Sequence, residues 1–230
     1  MENIAYADPL HHSIAQALVE FKVLTTDLLL KEVNYAGKQN SFRKVLRTLI
    51  SKKKITTIQE KNNVQRYLFL DHKKIDSTNI FHDLKVAEIC LKLRSHPRFQ
   101  KLILSHMLES KTFSPDAIVS FPNVDMYVEV ELTMKSEKKI RKKIEHYINT
   151  SKSVQVFYFF RQMRDLRRYS EVIKNIYVEM NESRIDPLCE RKFILVLIDN
   201  IHEDFNIFNS QTYISNEMSS LGSVLRVNEP

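Results

Sequence analysis

The sequence predicts an α/β protein, α+β over its whole length, built as two domains. Three observations carry this. Apolar residues recur at helical spacing between Ser13 and Ser51, and two short strand-like runs follow. A polar stretch, "DHKKIDSTNIFHD", then reads as a linker. Beyond it helix, strand, strand, helix and strand succeed one another, the order of a mixed sheet packed by helices. The expected domains are residues 10–75 and 79–225. A chain of 230 residues that is 43% hydrophobic can bury two such cores.

In the first domain Ile14, Ala17, Leu18 and Phe21 mark one helix, from Ser13 to about Leu24. "TTDLLLKEV" starts a second, with Thr25 or Thr26 as its N-cap. "NYAGKQN" breaks it, and Ser41 is expected to cap a third. There Phe42, Val45, Leu46, Leu49 and Ile50 form an apolar stripe, with Arg43, Lys44 and Arg47 on the other face. "KITTIQE" and "QRYLFLD" then flank a polar turn and read as a hairpin. Three short helices and a hairpin are the layout of a winged helix, whose third helix enters the DNA major groove while the wing touches backbone. Arg43, Lys44 and Arg47 are the candidate DNA contacts of that helix, with Arg47 expected to bear on sequence preference. Lys52, Lys53, Lys54 and Lys61 are candidate phosphate contacts. A wing used for protein contacts is the alternative.

The second domain opens with the helix "HDLKVAEICLKLRSH". "KLILSHMLES" is a strand leading into a polar stretch, or a short helix. "AIVSF" and "MYVEVEL" are strands joined by the turn "PNVD". Residues alternate between faces along a strand, so Glu129 and Glu131 share one face with Tyr127. Antiparallel pairing would bring Asp116 to the same place. Three like charges raise one another's pKa unless a cation neutralises them. A hard divalent ion on oxygen ligands is the simplest neutraliser, and Mg²⁺ suits that donor set. Lys135 follows the strand, and Lys143 and Tyr147 share a face of the next helix. That helix buries Ile140, Ile144 and Ile148, which leaves Lys138, Arg141 and Lys142 for phosphate. Metal, acids and lysines together are equipment for phosphodiester cleavage. The alternative is a solvated, salt-bridged strand face, with Asp116 as a turn or cap residue. Glu88 and His82, on the domain's first helix, are further candidate ligands. "VQVFYFF", a helix from about Asp165 to Met180, and the strand "FILVLID" complete the core.

Composition narrows the field. The formal net charge of +7, from 35 Lys+Arg against 28 Asp+Glu, permits a polyanionic partner. Only two glycines occur, Gly37 and Gly222, so neither a P-loop nor a GxGxxG cradle can form. Cys90 and Cys189 have no metal-like spacing, and a reducing cytoplasm is the expected setting. No leader pattern opens the chain, and no apolar run is long enough for membrane insertion.

Pro115–Asp116 followed by Glu129–Val130–Glu131 resembles the PD-(D/E)xK nuclease signature, with Glu131 where that signature has its lysine. Lys135 or Lys143 could be a relocated lysine. Lys143 and Tyr147 are also similar to the QxxxY helix motif of some exonuclease-like members. More specifically, "HDLKVAE", "SPDAIVSF" and "VEVELTMKSEKKIRKKIEHY" behind a winged helix resemble the replication-relaxation proteins. They also resemble the related MobC-type (MOBC) relaxases of mobilizable plasmids. The similarity runs from about Ser13 to Phe160.

The resemblance implies a restriction-endonuclease-like second domain that nicks double-stranded DNA at an origin of transfer with Mg²⁺ or Mn²⁺. It implies relaxosome accessory and coupling proteins as partners. Asp116, Glu129 and Glu131 would serve metal and catalysis, with Glu88 and His82 as helix-borne partners. Tyr147 or Tyr127 would be the residue to form any covalent DNA link. Two other readings stay open. One is a non-catalytic accessory protein on a nuclease-like scaffold, favoured by the glutamate at position 131. The other is a transcription regulator, which leaves the acids without a role.

Overall fold

The computed structural model describes residues 8–59, 66–70, 79–108, 114–122, 124–149, 154–181, 192–198, 211–214 and 217–220. Lys61 and the expected linker up to Thr78 lie outside them. The chain divides into two compact units, 1–91 and 92–230, so the division falls inside a helix that the sequence assigns to the second domain.

The first unit begins with α1 (Pro9–Phe21). It starts before Ser13 because Asp8 accepts a hydrogen bond from Leu10 N–H at 2.9 Å and Pro9 opens the helix. Proline suits that place, where its missing N–H would have no partner anyway. β1 (Leu24–Thr25) and α2 (Thr26–Glu32) follow, with Thr25 as the cap: its Oγ accepts from Leu28 N–H at 3.2 Å. α3 (Gln39–Ser51) is capped by the backbone of Lys38, and Ser41 lies in its first turn instead of at the cap. Phe42, Leu46 and Leu49 are buried, while Arg43, Lys44 and Arg47 are exposed, as the apolar stripe requires. β2 (Ile55–Gln59) and β3 (Arg66–Leu70) form the expected hairpin, and β1 adds to it in the order β1-β3-β2. α4 (Ile80–Arg94) begins by packing Ile80 and Leu84 on Val23 and Leu28. That apolar contact draws its first turns into this unit.

The second unit is a mixed α+β sheet in the order β10-β9-β8-β7-β6-β5-β4. β4 (Lys101–Leu104) runs into a 3₁₀ turn, Ser105–Met107. β5 (Ala117–Phe121) and β6 (Val124–Glu131) pair antiparallel, with Ala117 opposite Val128. α5 (Glu137–Ile148) then carries the chain to β7 (Val154–Phe160), which lies parallel to β6. α6 (Met163–Asn181) leads to β8 (Phe193–Leu197), parallel to β7. β9 (Gln211–Ile214) and β10 (Glu217–Ser220) finish it antiparallel. Ile140, Ile144 and Tyr147 of α5 and Leu166, Tyr169 and Ile176 of α6 cover one face, over Val156, Tyr158 and Phe160. Met126, Val128, Phe157 and Phe159 are buried on the other face. β6 and β7 are therefore enclosed on both sides, as parallel strands usually are. No helix among the described residues is long and apolar enough to cross a membrane.

The exit of α3 contains a local conflict. Lys54 N–H bonds Leu49 C=O and Lys53 N–H bonds Ile50 C=O, both at 2.9 Å, which is a Schellman closure. The residue after the cap must then be left-handed, and Lys53 has φ 53°. Glycine takes this place without a Cβ clash, whereas an L side chain loses about 1 kcal/mol. Lys53→Gly should therefore raise the unfolding free energy by about 1 kcal/mol in a urea titration. A lower value would remove the strain.

Candidate active site

Glu129 and Glu131 leave β6 on the side covered by α5. They are 1% and 3% exposed, which excludes a solvated strand face. An ion taken out of water loses several kcal/mol, so each needs a partner. Lys143 Nζ lies 2.5 Å from Glu129 Oε2 and 4.0 Å from Glu131 Oε1. Tyr147 donates its hydroxyl proton to the other oxygen of Glu129. Lys135 Nζ lies 2.7 Å from Glu131 Oε1. Lys143 and Tyr147 are one helical turn apart, so a single face of α5 serves Glu129 with both groups.

Asp116 enters through the β5–β6 ladder. Its N–H bonds Val128 C=O at 3.0 Å and its carbonyl accepts from Ser105 N–H at 2.9 Å. Its carboxylate accepts from Val130 N–H, between the two glutamates, at 2.8 Å. Continuing the register sets Asp116 opposite Glu129. It is half-buried, immediately before β5, and its side chain binds the neighbouring strand.

The electrostatics follow. Burial pushes the Glu129 carboxyl up to about 7; Lys143 opposes the shift and Asp116 adds to it. Burial works against the Lys143 charge, but Glu129, Asp116 and Glu131 more than offset it and raise its pKa. The Tyr147 hydroxyl is raised by burial first and then by Glu129, which holds it protonated.

Other candidates are tied up elsewhere. Arg141 forms a fork with Glu179, at 2.7 and 2.8 Å, so it is not the open phosphate contact that its helix position suggests. Glu88 is ion-paired with Lys85 on α4. His82 Nδ1 lies 3.7 Å from Asp83 on the same helix. Both belong to the first unit. Two participants escape the motif reading, Tyr158 and Tyr169. Tyr158 is in register with Glu129 on β7, and Tyr169 stacks edge-on against Phe160. Both hydroxyls are buried without a hydrogen-bond partner among the described residues. Burial and then Glu131 raise Tyr169, although the two do not complete a bond of ordinary geometry. The alternation of "VQVFYFF" puts Tyr158 on one face with Val156 and Phe160, and only the parallel register with β6 sets it beside Glu129.

Among the described residues no three His, Cys, Asp or Glu side chains gather as a ready cation cage. The donor chemistry still fits Mg²⁺ or Mn²⁺. One or two carboxylates with water and substrate phosphate suffice for such an ion, and Asp116 and Glu129 are two adjacent carboxylates. With all three acids ionised, they exceed the two lysines by one negative charge. The chain matches no protein-family model and no curated protein.

The raised Glu129 pKa has a stability consequence. The unfolded carboxyl titrates near 4.5, so the folded protein binds this proton more tightly. The resulting stabilisation is complete below the unfolded value and is lost as pH rises to about 7. Urea titrations should show it: the stability of wild type minus that of Glu129→Gln should fall by about 3 kcal/mol across this window. A flat difference would mean that the folded carboxyl titrates just as it does in the unfolded chain.

Proposed function

We propose that the chain is a metal-dependent DNA-nicking relaxase that acts at an origin of transfer. The observation that carries the reading is the placement of Lys143. The strand motif has Glu131 where a nuclease lysine is expected, and Lys143 brings a cation from α5 to Glu129 at 2.5 Å. The cation is relocated, not lost.

Asp116 and Glu129 would hold the Mg²⁺ or Mn²⁺. Such an ion, when bound, polarises the phosphate and makes an attacking water more acidic. Lys143 offsets negative charge as it grows on the phosphate. Lys135 does the same from the end of β6 and keeps Glu131 neutralised. Tyr147 orients Glu129. Its hydroxyl is fully buried and resists ionisation, which argues against Tyr147 as the nucleophile and for water.

The first unit supplies DNA affinity. Its helices, its hairpin and the added β1 support a winged helix, with Arg43 and Arg47 reading bases and Lys44 and Lys52–Lys54 on phosphates. A lysine kept at the strained position 53 supports a need for charge there. Relaxosome accessory and coupling proteins would be partners, in the cytoplasm.

A second reading, a non-catalytic accessory protein, is favoured by one observation: both oxygens of Glu129 are already engaged. A supercoiled plasmid carrying the cognate origin separates the two. With Mg²⁺ or Mn²⁺, wild type should nick one strand and Asp116→Asn should not, with origin binding unchanged. Lys143→Ala should lose about 10²–10³-fold in rate, and Tyr147→Phe far less. Lys54→Ala should lower the salt slope of binding by about one unit, while Arg47→Ala should alter sequence preference. Nicking that persists in both Asp116→Asn and Glu129→Gln would end the metal mechanism. Origin binding without nicking under either ion would favour the accessory protein.

A further inference from the structure

The opening turns of α6 carry positive charge that the acids among the described residues leave largely unbalanced. Arg161 precedes the helix, and Arg164, Arg167 and Arg168 follow at the spacing that puts them on one face. All four are exposed, and Arg164 is 76% exposed. The buried Asp165 is 3.1 Å from Arg164 Nε, and no acid among the described residues pairs with Arg161, Arg167 or Arg168. Like charges at these spacings repel, and a helix N-terminus favours anions over cations. Further along α6 the charges are mixed, with Glu171, Lys174 and Glu179.

The placement gives the cluster meaning. Phe160, the residue before Arg161, is in register with Glu131, so Arg161 leaves the sheet at the end of the acid-bearing strand. Tyr169 projects from the inner side of the same turns, its ring 4.8 Å from Phe160. The arginines thus sit on the outer side of a helix whose inner side backs the acids. Ligands of α/β sheets gather beyond the carboxyl ends of parallel strands.

We infer that Arg161, Arg164, Arg167 and Arg168 hold the phosphate backbone of the DNA strand presented to the acids. The inference rests on the DNA-cutting reading of the second unit and adds a track for its substrate. Arg164 to Arg168 span about 6 Å of helix, on the scale of two phosphates at about 3.4 Å per nucleotide. Arginine suits phosphate through its bidentate fork. The cluster contains no aromatic side chain for stacking, so the contact is to backbone and carries no sequence preference.

The test uses the full chain with Arg43, Lys44 and Arg47 replaced by Ala, so that α3 does not dominate. Binding of a fluorescent single-stranded oligonucleotide of random sequence is followed by anisotropy over a range of salt. Adding Arg164→Ala, Arg167→Ala and Arg168→Ala should reduce the slope by about 1.4 units, at roughly 0.7 for each of the two phosphates on a single strand. The three Arg→Lys replacements should restore most of it. An unchanged slope in a variant with an unaltered melting temperature overturns the inference. So does loss of binding to phosphatidylserine vesicles with oligonucleotide binding intact. A reduced slope in a protein that never nicks keeps the track and removes the cutting. Nicking with an unchanged slope removes only the track.

Discussion

The burial of Glu129 is the constraint from which the second unit is organised. A carboxylate inside a sheet enclosed on both faces is tolerable only with a cation and a hydrogen-bond donor at fixed positions. α5 provides both, one turn apart, while Ile140 and Ile144 on the same side bury apolar surface worth roughly 1.5–3 kcal/mol each. The helix is held from outside by the Arg141–Glu179 fork, which ties it to α6. The acid therefore dictates where α5 lies, and the apolar residues hold it there. Breaking such a pair on one side leaves an uncompensated buried charge, which is far worse than never having had the pair.

Two parts of the molecule place cations where local physics disfavours them. Lys53 occupies a left-handed position suited to glycine, and Arg164 sits in the first turn of a helix whose dipole prefers acids. Sequences that fold well agree with their local structure nearly everywhere, and functional sites are the usual exceptions. Lys22 and Asn34 also take positive φ in the first unit, while the face of α3 obeys the rule. α3 turns Phe42, Leu46 and Leu49 inward and its basic residues outward with no misplaced polar group.

Much of this was legible in the sequence because it depends on periodicity. The face of α3, the β2–β3 hairpin, the pairing of β5 with β6 and the shared face of Lys143 and Tyr147 all follow from a repeat of 3.6 or 2. What periodicity cannot give is depth. Alternation in "MYVEVEL" puts Glu129 and Glu131 on one face but does not say that α5 closes over it. The fate of Arg141 depended on Glu179, far away in sequence. The limits of α4 depended on Val23 and Leu28. Tyr158 needed the parallel register of β7, which no local pattern encodes. The start of α1 is different: Asp8 and Pro9 were a visible cap signal, outweighed by the apolar spacing that begins later.

The short chain distance between the acid and its partners bears on how the unit forms. Glu129 is 14 residues from Lys143 and 18 from Tyr147. Closing loops of that length costs little entropy, and contacts so near in sequence form early. The strand that pairs with β6 on its parallel side arrives only after α5, because the helix is the crossover. A nascent chain can thus neutralise Glu129 before β7 seals the sheet. On that order of events the charge would not be enclosed alone, and the parallel half of the sheet would grow outward from an α5 already docked on its acid.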